Sequence, residues 1–272
     1  MGKTLAFPFI GILERTGAPV FGVAGTHVMR LLRELSRAGL GNLYVPARTE
    51  LCAGYMATGY SRTTGRVSFC LLTPGPGFLI GSCAMLEAKM KGTPVVFVSG
   101  QVHRDARGLG AKALHEFEGQ AESAASIVDA AFFPEGPAEA DRLLADAVRA
   151  SLSPPVKPSY VELPVDALTQ YEPTGPAPDL TPRKPEPPSP DRVKRAENLI
   201  NRARRPVILA GYGGIFPGCG EKLLGLAETI DAPLFTTVTA KGAIPETHRL
   251  AGGVYRGATA REVMGQGDLL IA

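Results

Sequence analysis

Between Glu172 and Asp191 eight of twenty residues are proline, and no other feature limits so sharply what this chain can fold into. Proline fixes φ near −65° and removes a backbone donor, so the stretch is barred from helix interiors and central strands and favours extended polyproline II. The 272 residues are therefore read as a first domain over 1–171, a linker over 172–191 and a second domain over 192–272. The length agrees, since it exceeds the ~100 to 200 residues of one typical domain and is too short for three. A formal charge of +3, with 44% hydrophobic and 20% charged residues, excludes intrinsic disorder and gives no electrostatic case for nucleic acid.

The apolar run Leu5 to Leu13 is too short to span a bilayer, and Glu14 and Arg15 follow it where a signal peptide would carry small residues. No membrane segment and no export signal are read, and a cytoplasmic protein is expected. Cys52, Cys70, Cys83 and Cys219 show no CxxC spacing, so reduced core thiols are expected rather than a metal knuckle.

From Val20 onward short apolar runs alternate with amphipathic stretches, the βαβ rhythm of a parallel sheet. Val20 to Val23, Leu43 to Val45, Val67 to Leu72, Pro94 to Val98 and Ser159 to Leu163 read as strands. Val28, Leu31, Leu32 and Leu35 fall on one helical face, and Glu50 to Tyr60, Leu79 to Lys91 and Ala138 to Leu152 read as further helices. Beyond the prolines, helices are read at Arg192 to Ala203 and Glu221 to Ile230. Strands are read there at Pro206 to Ala210, Pro233 to Thr237 and Asp268 to Ala272, and three are few for an open α/β sheet. The second domain is expected to be incomplete.

Several residues invite a chemical reading. Glu50, opening a helix and followed by Leu51, Cys52 and Ala53, is either a partner of the helix dipole or a partly buried acid whose burial would raise its pKa. Thr73-Pro74-Gly75-Pro76-Gly77 turns the chain from strand to helix at the carboxyl edge of the sheet, where open α/β sheets bind ligands, although turn chemistry alone accounts for such a run. Gly211-Tyr212-Gly213-Gly214 fails as a nicotinamide fingerprint because Phe216 occupies the place of the third glycine. His27 follows Gly25 at a strand-to-helix turn, and His115 lies in a long loop from Ser99 to Gln120; each is a surface histidine or a site residue. Arg104, Asp105, Arg107, Glu116 and Glu118 of that loop read as solvated charges.

Four blocks taken in order resemble one family: Val20 to Gly25; Arg48-Thr49-Glu50 continuing to Ala57-Thr58-Gly59-Tyr60-Ser61-Arg62; Thr73 to Gly77; and Pro94 to Val96 with Ser99-Gly100-Gln101-Val102. They are similar to the thiamine-diphosphate enzymes of the acetolactate synthase, benzaldehyde lyase and 2-oxo-acid decarboxylase type. Arg205 to Gly211, Ala232 to Thr237 and Lys241 to Glu246 resemble the opening half of that family's central domain. The resemblance implies an α/β fold, with a parallel-sheet thiamine-diphosphate-binding (pyrimidine) domain followed by an incomplete Rossmann-like central domain.

It also implies roles. Glu50 matches the acid that hydrogen-bonds the aminopyrimidine nitrogen, so that the ring's exocyclic nitrogen can remove the thiazolium C2 proton. Thr73 and Pro76 match positions lining the pyrimidine pocket, with Gly25 in the neighbouring turn. His27 falls where benzaldehyde lyase-like members carry a histidine facing the reacting centre, and His115 where many members have a glutamine. The family carries a histidine directly before the acid, where this chain has Thr49. Its magnesium-diphosphate site, a GDG segment followed by Asn, has no counterpart; Gly267-Asp268-Leu269 stands near the end of the sequence. The expectation is thus the pyrimidine-domain part of a lyase or carboligase acting on a 2-oxo acid or aldehyde. A second polypeptide, or the rest of a longer enzyme, would supply the Mg2+ and diphosphate site, in an oligomer holding at least two copies of each. The alternative is a non-catalytic partner or scaffold derived from such an enzyme.

Overall fold

The computed structural model describes residues 6–110, 112–166, 177–216 and 218–272. The chain divides into two compact units, Met1–Pro185 and Glu186–Ala272, and the division falls inside the proline-rich segment. The expected boundary at 171/172 and residues 172–176 lie outside the described residues, while residues 177–189 carry neither helix nor strand. The next helix begins at Pro190, with proline in its first turn and the Ser189 hydroxyl accepting from Arg192 N, as an N-cap should.

In the first unit the elements run α1 (Ala6–Thr16), β1 (Val20–Gly22), α2 (Met29–Arg37), β2 (Tyr44–Pro46), α3 (Glu50–Thr64), β3 (Ser68–Leu72), α4 (Pro76–Met90) and β4 (Val95–Gln101), followed by α5 (Gln120–Ile127), β5 (Ala131–Phe132), α6 (Pro137–Leu152) and β6 (Ser159–Pro164). The six strands form one sheet in the order β2-β1-β3-β4-β6-β5, with every pair parallel. Alternation along the central strands divides the core into two layers. Phe69, Leu71, Val96 and Val98 face the layer filled by α1, α2 and α6, whereas Cys70, Leu72, Val95 and Phe97 face the layer of α3, α4 and α5. Helix α1 was not read from the sequence. Its Phe9, Ile10, Ile12 and Leu13 are buried, so the early apolar run is a core helix. Helix α5 and the short β5 were likewise missed inside and after the long loop.

The strand order matters for function. Chain progress reverses between β1 and β3, and doubly wound sheets bind ligands at the carboxyl ends of the strands beside such a switch point. The loops after β1, β2, β3 and β4 all emerge at that edge.

The second unit contains α7 (Pro190–Arg202), β7 (Pro206–Ala210), α8 (Cys219–Thr229), β8 (Leu234–Thr236), β9 (Ala251–Val254), α9 (Ala258–Gln266) and β10 (Leu269–Ile271). Its sheet is parallel with order β10-β7-β8-β9, four strands where three were read. The unread strand, β9, is Ala-Gly-Gly-Val, and two glycines hide it from any apolar-run criterion. Asp268 has a structural duty: its two carboxylate oxygens accept from the backbone N–H groups of Arg204 and Arg205, and these bonds hold its pKa below the ordinary value. Of the cysteines only Cys70 is buried, where burial, followed by the Glu50 charge, raises its thiol pKa. Cys52 and Cys83 are exposed, which corrects their reading as core thiols. Among the described residues no helix is long and apolar enough to cross a membrane.

Candidate active site

The site is built by the loops of the switch point. Extended Thr49 ends the β2 connection and caps α3, its hydroxyl accepting from Cys52 N at 3.2 Å. Glu50 thereby becomes the first residue of α3, where the exposed helix-end N–H groups favour a carboxylate. It is nevertheless only 8% exposed, so it is at once a helix-start carboxyl and a buried one. Across the switch point the Thr73 hydroxyl, at the end of β3, donates to Glu50 Oε1 over 2.6 Å.

Two glycines let this pair close in, and a third seats the turn against His115. A Cβ on Gly77 would stand 2.0 Å from Thr73 Oγ1 and 2.5 Å from Glu50 Oε1, and one on Gly25 would stand 2.0 Å from Thr73 Cγ2. Gly75 adopts φ +59°, which bars most side chains, and a Cβ there would meet the His115 carbonyl oxygen at 2.5 Å. The Pro-Gly-Pro-Gly run is thus more than a turn, because each glycine admits a specific neighbour. Pro76 is the first residue of α4, a position suited to a residue without an N–H, and it is exposed.

The two histidines meet. His27, 7% exposed, and half-buried His115 place their ring centroids 5.6 Å apart at 37°. Neither Nδ1 has a hydrogen-bond partner among the described residues, so both rings carry unused polar valence. Burial, followed by the positive charge His115 can carry, depresses the His27 pKa. His115 adopts φ +65°, a conformation rarely taken by a residue with a side chain and concentrated at functional loops.

Three charges of the loop after β4 hold partners rather than only solvent, while Asp105 and Glu118 are exposed as read. Arg104 pairs with Asp166 at 2.6 Å and also donates to the Glu135 carbonyl. Arg107 faces Glu162 at 3.6 Å. The Glu116 carboxylate accepts from the N–H groups of Gly108 and Ala113, which closes the turn before His115.

Two residues near this loop were not read. Gln120 is fully buried and Glu162 only 3% exposed; they bond to each other, and Gln120 also bonds to the Gly75 turn. Glu162 had a signal, since an acid within the apolar strand Ser-Tyr-Val-Glu-Leu-Pro must be buried and paired. Gln120 had none, because its partners lie on three other elements.

A buried acid at a helix N-terminus and two imidazoles with unpaired Nδ1 atoms at the carboxyl edge suit a small ring cofactor with basic nitrogens. Comparison with known proteins gives the class. The thiamine pyrophosphate enzyme N-terminal TPP binding domain matches residues 4–125, and the thiamine pyrophosphate enzyme central domain matches residues 193–272. The chain belongs to the thiamine pyrophosphate enzyme family, represented here by those two domains. It is 31% identical over 256 residues to the protein assigned as 2-ketoarginine decarboxylase in Pseudomonas aeruginosa, covering 93% of this chain and 45% of that one. Against acetolactate synthase of Mycobacterium bovis it is 33% identical over 269 residues, covering 96% and 43%. Against oxalyl-CoA decarboxylase of Escherichia coli strain K12 it is 29% identical over 248 residues, covering 87% and 42%. The chain therefore spans less than half the length of these curated relatives. A crystal structure of a protein assigned as a thiamin diphosphate-dependent enzyme from Mycobacterium smegmatis shares the fold, with a TM-score of 0.83 at 20% identity over 99% of this chain and 52% of that one.

Proposed function

We propose that this chain forms the pyrimidine-binding side of a thiamine-diphosphate-dependent lyase or carboligase that breaks or makes the carbon-carbon bond beside the carbonyl of a 2-oxo acid or related acyl donor. The observation that carries the reading is the buried Glu50 carboxyl at the start of α3, bonded to Thr73 and closely packed against Gly77. When bound, thiamine diphosphate supplies the electron sink for that bond. Glu50 holds a proton at the pyrimidine ring nitrogen, and Thr73 fixes the rotamer from which it does so. Gly25 and Gly77 let Thr73 and Glu50 close on each other, and Gly75 seats the turn against the His115 backbone. His27, biased toward the neutral imidazole, and His115 present their unpaired nitrogens to the substrate side, where they hold or move a proton at the carbonyl oxygen.

The diphosphate and its Mg2+ are assigned to a domain carried by a second polypeptide or by the remainder of a longer enzyme, with at least two copies of each part in the assembly. An apolar strip supports this partner. Tyr55 and Met56 on α3, with Leu79, Ile80, Leu86 and Met90 on α4, are 38% to 75% exposed, and both helices start at the site.

Titration of thiamine diphosphate with Mg2+ by calorimetry, on the chain alone and with the candidate second polypeptide, tests the reading. Saturable binding and turnover only in the assembly support it. Assembly without cofactor binding favours a scaffold.

A further inference from the structure

A buried glutamine that takes no part in the proposed chemistry holds the turn on which the acid's surroundings depend. Gln120 is the first residue of α5, and its Oε1 accepts from Gly75 N at 2.7 Å. Its Nε2 faces Glu162 Oε2 at 2.9 Å, Tyr160 Oη at 3.1 Å, Ser99 Oγ at 3.2 Å and the Gly100 carbonyl oxygen at 3.3 Å. The chemistry of these partners fixes which way round the amide lies. A backbone N–H can only donate and a backbone carbonyl can only accept, so the amide oxygen must face Gly75 and the nitrogen must face Gly100. Glu162 enforces the same choice. Its Oε2 also accepts from Tyr160 Oη at 3.0 Å, and its Oε1 accepts from Gln101 Nε2 at 3.0 Å.

Gly75 is thereby clamped on two sides, by the Gln120 side chain at its N–H and by the His115 backbone where a Cβ would stand. Thr73 lies two residues before it and Gly77 two residues after, and both abut Glu50. We propose that Gln120, oriented by Glu162, is a positioning residue that sets the Thr73–Gly77 turn and so the register in which Glu50 meets the pyrimidine ring. The inference rests on the pyrimidine reading of the pocket. It gives this turn a second anchor, on β6, two strands away from β3 in the sheet.

The test uses the whole chain, labelled for NMR, and thiamine, which presents the aminopyrimidine without calling on any diphosphate site. Gln120→Ala and the near-isosteric Glu162→Gln should each raise the exchange rate of the Gly75 amide and weaken the thiamine Kd by about tenfold, the effect of one buried hydrogen bond. A role confined to stability would lower the unfolding midpoint and leave the Kd of the folded protein within twofold. Unchanged Gly75 exchange, or faster exchange with unchanged affinity, overturns the inference. If neither the unaltered chain nor its assembly with the second polypeptide binds thiamine, the function reading falls, and Gly75 exchange still decides whether Gln120 holds the turn.

Discussion

Thr73 Oγ1 lies 2.6 Å from Glu50 Oε1, and this bond joins the loop after β3 to the first residue of α3. It crosses the switch point of the sheet and leaves a carboxyl that is buried yet oriented. An acid so held can keep a proton at one ligand atom without reorganising.

Glu50→Gln preserves shape and removes the acid. In the assembled enzyme the exchange of the cofactor C2 proton for deuterium should slow by roughly 10²-fold or more, the usual share of general acid-base catalysis. Unchanged exchange, followed by NMR after acid quench, would defeat the assignment.

Gly77→Ala should act on the same pair by steric means. Its Cβ would intrude on Thr73 Oγ1 and Glu50 Oε1, so overpacking should cost about 1 to 3 kcal/mol in urea unfolding and abolish thiamine binding. Gly59 is the internal control. It lies in the interior of α3 where a Cβ meets nothing within 4 Å, so Gly59→Ala should stabilise by about 0.5 to 1 kcal/mol. Equal effects from the two substitutions would contradict the packing around Glu50.

His27 should make stability fall on acidification. Its folded pKa lies below the ordinary imidazole value of about 6.5, so below that pH the unfolded chain takes up a proton that the folded chain refuses, and stability drops until pH passes the folded value. Urea midpoints from pH 7.5 to 5 should decline less in His27→Asn than in the unaltered chain; parallel declines would count against the buried neutral ring. In the assembled enzyme His27→Ala and His115→Ala should change turnover or product ratio more than cofactor affinity, and unaltered rates and products would return both to structural roles.

Leu86→Glu and Met90→Glu place charge on the exposed apolar strip of α4. Each should leave the unfolding midpoint nearly unchanged, as surface substitutions do, while weakening association with the diphosphate-bearing polypeptide. Light scattering that shows full assembly in both variants would move the interface elsewhere.

The sequence by itself determined the two-part division, the parallel α/β class and the place of Glu50 at a helix start, because these depend on local matters. Prolines interrupt helices wherever they fall, apolar runs and 3.6-residue periodicity declare strands and helices, and Thr49-Glu50 carries its own capping chemistry. Glycines were legible as turn formers but not as close contacts, since only packing shows that Gly77 faces an acid or that Gly75 rests on His115. Tertiary structure alone decided that α1 is a core helix, that β9 completes a four-stranded sheet and that the charges at 104, 107 and 116 pin a loop. It also decided that Gln120, Glu162 and Gly75 form one clamp, whose members come from a helix, a strand and a turn that are 42 and 45 residues apart in sequence. Their hydrogen bonds exist only once the sheet has brought β3, β4 and β6 side by side, so no local pattern could have announced them.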